Sequence, residues 1–126
     1  MRRITLLPLF GTYAVARLDP LAPIPGWADG PGFVSISRTA DELSVVCLAE
    51  RVPGDVRADR AWSCFKFQGP FAFDETGIAA AVLQPLAAGG IGIFLVSTFD
   101  TDYLLVQAAD RERAIAALSA AGHRIG

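Results

Sequence analysis

The residues able to do chemistry in this chain are few. Ser97, Cys47 and Cys64 are candidate nucleophiles, but each needs a base, and His123 is the sole imidazole in the sequence. His123 falls at a helix exit close to the C-terminus and is expected as a surface strand residue rather than a partner for Cys64 or Ser97. The two cysteines have neither metal-ligand nor redox-motif spacing, so free thiols are expected, with a disulfide left open. Asp74, Glu75, Asp100 and Asp102 are the more informative set. The acidic turn offers oxygen donors without EF-hand spacing, and Glu75 with Asp102 could form a carboxylate pair, but nothing marks a sugar-binding cleft beside them. Gly89-Gly90-Ile91-Gly92 follows a helical pattern instead of opening one, and no Gly-x-x-x-x-Gly-Lys loop is present, so nucleotide chemistry is unsupported. No catalytic residues, metal or cofactor are expected.

Those acids must be positioned by regular elements, and the second half of the chain supplies them. Trp62 to Gly69 reads as a strand, and Gly77 to Ala88 carries Ile78, Val82, Leu83 and Leu86 at helical spacing, with Pro85 inside and Gly89-Gly90 as a stop. Ile91 to Val96 and Leu104 to Val106 are apolar runs of strand length. Asp110 then caps an Ala-rich helix ending at Gly122, and His123 to Ile125 can close as a short strand. The order β-α-β-β-α-β is that of a ferredoxin-like α+β sandwich, with both helices on one face of an antiparallel sheet.

The first half is similar but eroded. Tyr13 to Leu18 alternates like a strand, and Phe33–Ser37 and Leu43–Cys47 flank a polar turn at Thr39–Glu42, which reads as a hairpin. Between them Pro20, Pro23, Pro25, Gly26, Gly30, Pro31 and Gly32 leave room for only a short or irregular helix. Ser37 to Val46 lies over Ser97 to Val106 at an offset of 60, so two copies of one module share the chain, residues 1–61 and 62–126.

Composition bounds the partners. At 126 residues the chain suits one core or two small modules sharing one. Apolar residues make up 52% and charged residues 19%, an excess that a sizeable interior or a buried oligomer face must absorb. A net charge of -2 with scattered basic residues argues against nucleic acid. Arg2 and Arg3 before an apolar stretch imitate a leader, but Pro8 and Gly11 interrupt it, and no segment reaches the ~18 apolar residues of a membrane span. A cytoplasmic protein is expected.

Phe73-Asp74-Glu75-Thr76-Gly77-Ile78, then Pro85-Leu86-Ala87 and Ile91, then Ser97 to Val106 resemble the second half of small tandem ACT-domain proteins. The cytosolic arginine sensor of animals and the regulatory domains of aspartate kinases belong to the same wider group. Trp62 and the Thr39–Val46 hairpin match that family's first module. The resemblance implies two ACT modules in tandem, the first truncated, and an amino acid or similar metabolite bound where a loop leads into the first helix and meets the following turn. Carried over by motif, the ligand residues are Glu75, Gly77 and Ile78 at the start of the helix and Thr98, Phe99 and Asp102 on the turn. Helix N-terminal amides would suit a carboxylate, and two acids an ammonium or guanidinium. The plainer alternative makes these cap and turn residues of a structural dimerisation module. Ala81 and Val82 match a face that packs on a neighbouring module around the ligand, with core packing of Val82 as the competing expectation. The first module has no Asp-Glu-x-Gly-Ile counterpart, so one site per chain is expected.

Overall fold

A computed structural model describes residues 2–126. Ten elements of regular structure carry the fold: β1 (Thr5–Pro8), β2 (Tyr13–Leu18), β3 (Ser35–Arg38), β4 (Leu43–Leu48), β5 (Ala58–Phe67), α1 (Ile78–Ala88), β6 (Ile93–Ser97), β7 (Asp102–Gln107), α2 (Arg111–Ala120) and β8 (Arg124–Ile125). The chain divides into two compact units, Phe10–Trp62 and the residues up to Leu9 together with Ser63–Gly126. The long strand β5 begins at Ala58, ahead of the start expected at Trp62, and its residues belong partly to each unit.

The second unit is the ferredoxin-like one, with the strand and helix order expected from the sequence. β6 and β7 form an antiparallel hairpin in which Ile93 faces Val106 and Ser97 faces Asp102. β7 pairs β5, β5 pairs β1 antiparallel with Leu7 opposite Lys66, and β1 pairs β8 in parallel. The N-terminal strand therefore sits between β5 and the C-terminal strand. Both helices cover one face of this sheet. Ile78, Val82 and Leu86 of α1 and Ala114 and Leu118 of α2 pack with Leu6, Phe65, Phe67, Leu104 and Val106. Strand alternation leaves Leu7, Lys66 and Tyr103 on the opposite face. Val82 is fully buried in this core, the core-packing one of the two expectations for it.

Pro85 interrupts the hydrogen bonding of α1, because a proline has no N–H to give the carbonyl of Ala81. His123 supplies the missing donor: Nε2 lies 2.7 Å from Ala81 O, while Nδ1 accepts from Ile4 N–H at 3.0 Å. Both ring nitrogens are thus engaged, and the residue is 5% exposed. The expected surface histidine is instead an internal tie among α1, the N-terminal strand region and the last turn. Asp110 also departs from expectation. Its side chain makes no capping bond to α2 and instead takes the Arg113 guanidinium at 2.9 Å.

The unit Phe10–Trp62 has no α-helix. Its strands run β3-β4-β2 with the first residues of β5 at the far edge, Tyr13 facing both Leu48 and Trp62. Where a crossover helix would lie there is only a single 3₁₀ turn at Gly26–Ala28, and the core beneath it is made of small residues: Ala14, Ala16, Ala28, Val45, Cys47 and Val52. Arginines do the ordering that helix packing would otherwise do. Arg51 donates to Trp27 O and Pro31 O, and Arg60 to Val52 O, Pro53 O and Val56 O.

The internal repeat is visible in the turns. Thr39 N–H and Oγ1 both bond Glu42 O, and Thr98 N–H and Oγ1 both bond Thr101 O. Thr39 therefore corresponds to Thr98 and Glu42 to Thr101, one residue away from the alignment read off the sequence. The burial of β4 and β7 follows the same register, with Val45–Cys47 matching Leu104–Val106 as three successive buried residues.

Candidate functional site

The loop from Gln68 to Gly77 folds down onto the β6–β7 turn. Gly69 approaches so closely that a Cβ there would lie 3.1 Å from Asp100 O, and Phe71 N–H donates to that same carbonyl at 2.8 Å. Thr101 Oγ1 donates to Phe67 O at 2.7 Å, fixing the turn to the end of β5. A cleft of about 230 Å³ opens between loop and turn. Glu75 and Ile78 line it from the loop side, and Thr98, Phe99 and Asp102 from the turn side. Five of the six residues expected in a ligand site are thus brought to one cavity. The sixth, Gly77, lies outside the lining and acts on the backbone. With φ +79° it takes the left-handed conformation that glycine tolerates best, and Ala81 N–H to Gly77 O at 3.0 Å is the first bond of α1. The amides of Ile78, Ala79 and Ala80 precede that bond and have no acceptor within the helix.

The cleft is acidic. Glu75, Asp100 and Asp102 line it, and no lysine or arginine does. One cation reaches it from outside: Arg2 Nη2 is 2.8 Å from Glu75 Oε2, and its guanidinium lies 5.5 Å above the centre of the Phe71 ring, another wall residue. Glu75 Oε1 accepts from Ala72 N–H at 2.9 Å, so this carboxylate also shapes its own loop. Thr98 has a similar double character, since its hydroxyl closes the turn. At the rim Phe73 and Phe99 meet edge to face, 4.8 Å between ring centres, although each is more than three-quarters exposed. Sequence reasoning missed Arg2, Phe71 and Phe73. Phe73 stood inside the motif, whereas Arg2 lies far from the cleft along the chain and carried no local signal.

The nucleophile candidates are poorly placed for reaction. Cys47 and Cys64 are free and buried. Burial pushes the Cys64 thiol up to about 12 and raises Cys47 as well, the latter opposed by the charge of Arg51. Among the described residues no group of three or more His, Cys, Asp or Glu side chains converges as a metal site, and no helix is long and apolar enough to cross a membrane.

A ferredoxin-like unit in which a loop leads into the first helix and folds onto the following hairpin turn has the architecture of an ACT-type domain. An ACT domain family model matches residues 57–120, half of the chain, and the chain belongs to that family. A second family model, for an N-terminal domain, matches residues 11–55. The chain is 60% identical to a protein of Agrobacterium tumefaciens whose crystal structure it matches with a TM-score of 0.96, covering 100% of this chain and 94% of that one. It is 37% identical over 90 residues to subunit 1 of the cytosolic arginine sensor for mTORC1 of Bos taurus, which is 61% of this chain and 27% of the sensor. The chain thus spans about a quarter of the length of the curated relatives it matches. The ligand-free regulatory subunit of aspartate kinase from Thermus thermophilus has the same fold, at a TM-score of 0.57 and 12% identity, covering 89% of this chain and 93% of that one.

Proposed function

We propose that this protein is a non-catalytic regulatory module, cytoplasmic and homo-oligomeric, that binds an amino acid with a positively charged group in the Glu75–Asp102 cleft. The observation that carries the reading is the charge of that cleft: three carboxylates line it with no basic side chain among them, and the guanidinium that does reach it, from Arg2, sits on a carboxylate and over an aromatic ring. A ligand ammonium or guanidinium would take the same partners, with Thr98 and Phe99 closing the turn side and the α1 amides following Gly77 available to a carboxylate. Relatives named for arginine sensing point the same way. Binding without catalysis fits the side chains on hand, because His123 has both nitrogens engaged and Cys64 is held as a neutral thiol.

The test is thermal unfolding in the presence of each common amino acid. A ligand at 100 times its dissociation constant adds about 2.7 kcal/mol to the folded state. Stabilisation by a cationic amino acid that disappears in Asp102→Ala supports the site. Absence of stabilisation by any amino acid favours the other reading, a dimerisation module whose exposed Phe73–Phe99 pair is a contact face.

A further inference from the structure

A second cleft, of about 300 Å³, opens on the other side of the β6–β7 turn, lined by Leu7, Lys66, Gln68 and Tyr103 with Thr98 and Asp100 of the turn. It differs from the first in holding a cationic side chain, Lys66, as well as Asp100. Lys66 is the only lysine in a chain whose other ten cationic side chains are arginines. Seven of the arginines, Arg51, Arg60 and Arg113 among them, clamp backbone carbonyls or pair with acids, whereas the Lys66 ammonium, like the guanidinium groups of Arg3, Arg57 and Arg124, has no ion pair or hydrogen bond among the described residues. Its residue is nevertheless partly buried, on the sheet face away from the helices, between Leu7 of the neighbouring strand and the ring of Tyr103. A cationic side chain without a partner and an amide side chain in one lining are the donors a carboxylate needs.

We propose that this cleft binds a small monocarboxylic acid, the carboxylate taken by Lys66 and the amide of Gln68 and a donor-bearing tail directed to Asp100. A single negative charge is favoured because Asp100 in the same lining repels a second one. The space suits a compound of a few carbons, and a hydroxyl on the tail satisfies the Asp100 carboxylate. Because Thr98, Asp100 and Thr101 line both clefts, occupancy here bears on the turn that forms one wall of the amino-acid cleft. The carboxylate partners, Lys66 and Gln68, lie outside the lining of the first cleft, so the proposal does not depend on amino-acid binding there.

The lone lysine makes the test direct. Reductive ¹³C-methylation labels one side chain, Lys66, besides the N-terminal amine. Titration with lactate is expected to shift the Lys66 signal saturably, with chloride at matched ionic strength producing no such shift. Lys66→Gln should weaken lactate binding measured calorimetrically at least about tenfold, since a charge-assisted contact is lost, while any stabilisation by amino acids in the first cleft persists. A Lys66 signal that moves equally with chloride, or lactate binding unchanged in Lys66→Gln, overturns the proposal. Neither result bears on whether Asp102→Ala abolishes amino-acid binding.

Discussion

At the scale of single residues, the proposed ligand-binding role of the cleft residues can be separated from their structural role by substitution. Asp102→Ala removes a carboxylate from the wall without breaking any hydrogen bond of the turn, which is closed by Thr98 and Thr101. The fold should survive and ligand-induced stabilisation vanish, as calorimetry would show. Glu75→Gln keeps an acceptor for Ala72 N–H but loses the charge shared with Arg2, so it should bind several-fold more weakly rather than not at all. Arg2→Ala should act in the opposite direction. It frees Glu75 from a competing guanidinium, and because the pair is still partly open to solvent its removal changes stability by no more than about 1 kcal/mol. Tighter binding in Arg2→Ala, measured by titration calorimetry, is the expected result.

Cys64 gives a residue-scale prediction in pH. Its folded value of about 12 lies above that of an unfolded thiol, near 9. Below the unfolded value both states hold the proton and stability is unaffected. Above it the unfolded chain loses the proton first, so stability should fall as pH rises between about 9 and 12, at up to ~1.4 kcal/mol per pH unit from this group. Urea unfolding across that range checks the slope. At pH 8 a thiol reagent should leave both cysteines untouched in the folded protein and modify both in denaturant.

At the scale of elements, α1 depends on a side chain from the far end of the chain. His123→Ala leaves Ile4 N–H and Ala81 O without partners in a buried setting and should cost about 2 to 4 kcal/mol in chemical denaturation. Adding Pro85→Ala restores an N–H to Ala81 O within the helix, so the double variant should recover about 1 kcal/mol relative to His123→Ala alone. Gly77→Ala has space for its methyl group but forces alanine into φ +79°, and should cost about 1 kcal/mol. The loss of a crossover helix in the unit Phe10–Trp62 has a similar local cause. Its core is built of alanines and small side chains, and arginine-to-carbonyl bonds fix the loop that proline and glycine prevent from becoming helical.

At the scale of the whole molecule, the apolar surplus of the composition is partly accounted for outside the core. Phe10 is 97% exposed and Leu21 89%, with Phe73 and Phe99 close behind. Such side chains are expected to be covered in a homo-oligomer. Sedimentation should show a species larger than the monomer at micromolar concentration, and Phe73→Ser with Phe99→Ser should shift it toward the monomer if the aromatic rim is the contact. A strictly monomeric protein with and without amino acid would remove the oligomer from the proposed function.

What the sequence determined by itself is local and periodic. Apolar spacing at Ile78, Val82 and Leu86, the alternation of Tyr13–Leu18 and the turn residues at Thr39–Glu42 specify elements through contacts a few residues apart, and such signals along 62–126 were enough for the β-α-β-β-α-β order, while the ACT family came from the resemblance of the Phe73–Ile78 and Ser97–Val106 motifs. The candidate residues around Glu75 and on the turn at Thr98–Asp102 were read from that resemblance, and the structure brings five of the six to one cleft. What depends on distant pairing was not: the place of β1 between β5 and β8, Arg2 reaching Glu75, His123 standing in for the N–H that Pro85 lacks, and the register of the repeat, set by which threonine closes each turn. The same holds for Lys66, an ordinary strand residue in the sequence. Only the strand beside it and the turn above it make its ammonium the unpaired charge of a cleft, because burial and partnership are properties of neighbours that the chain brings together in three dimensions.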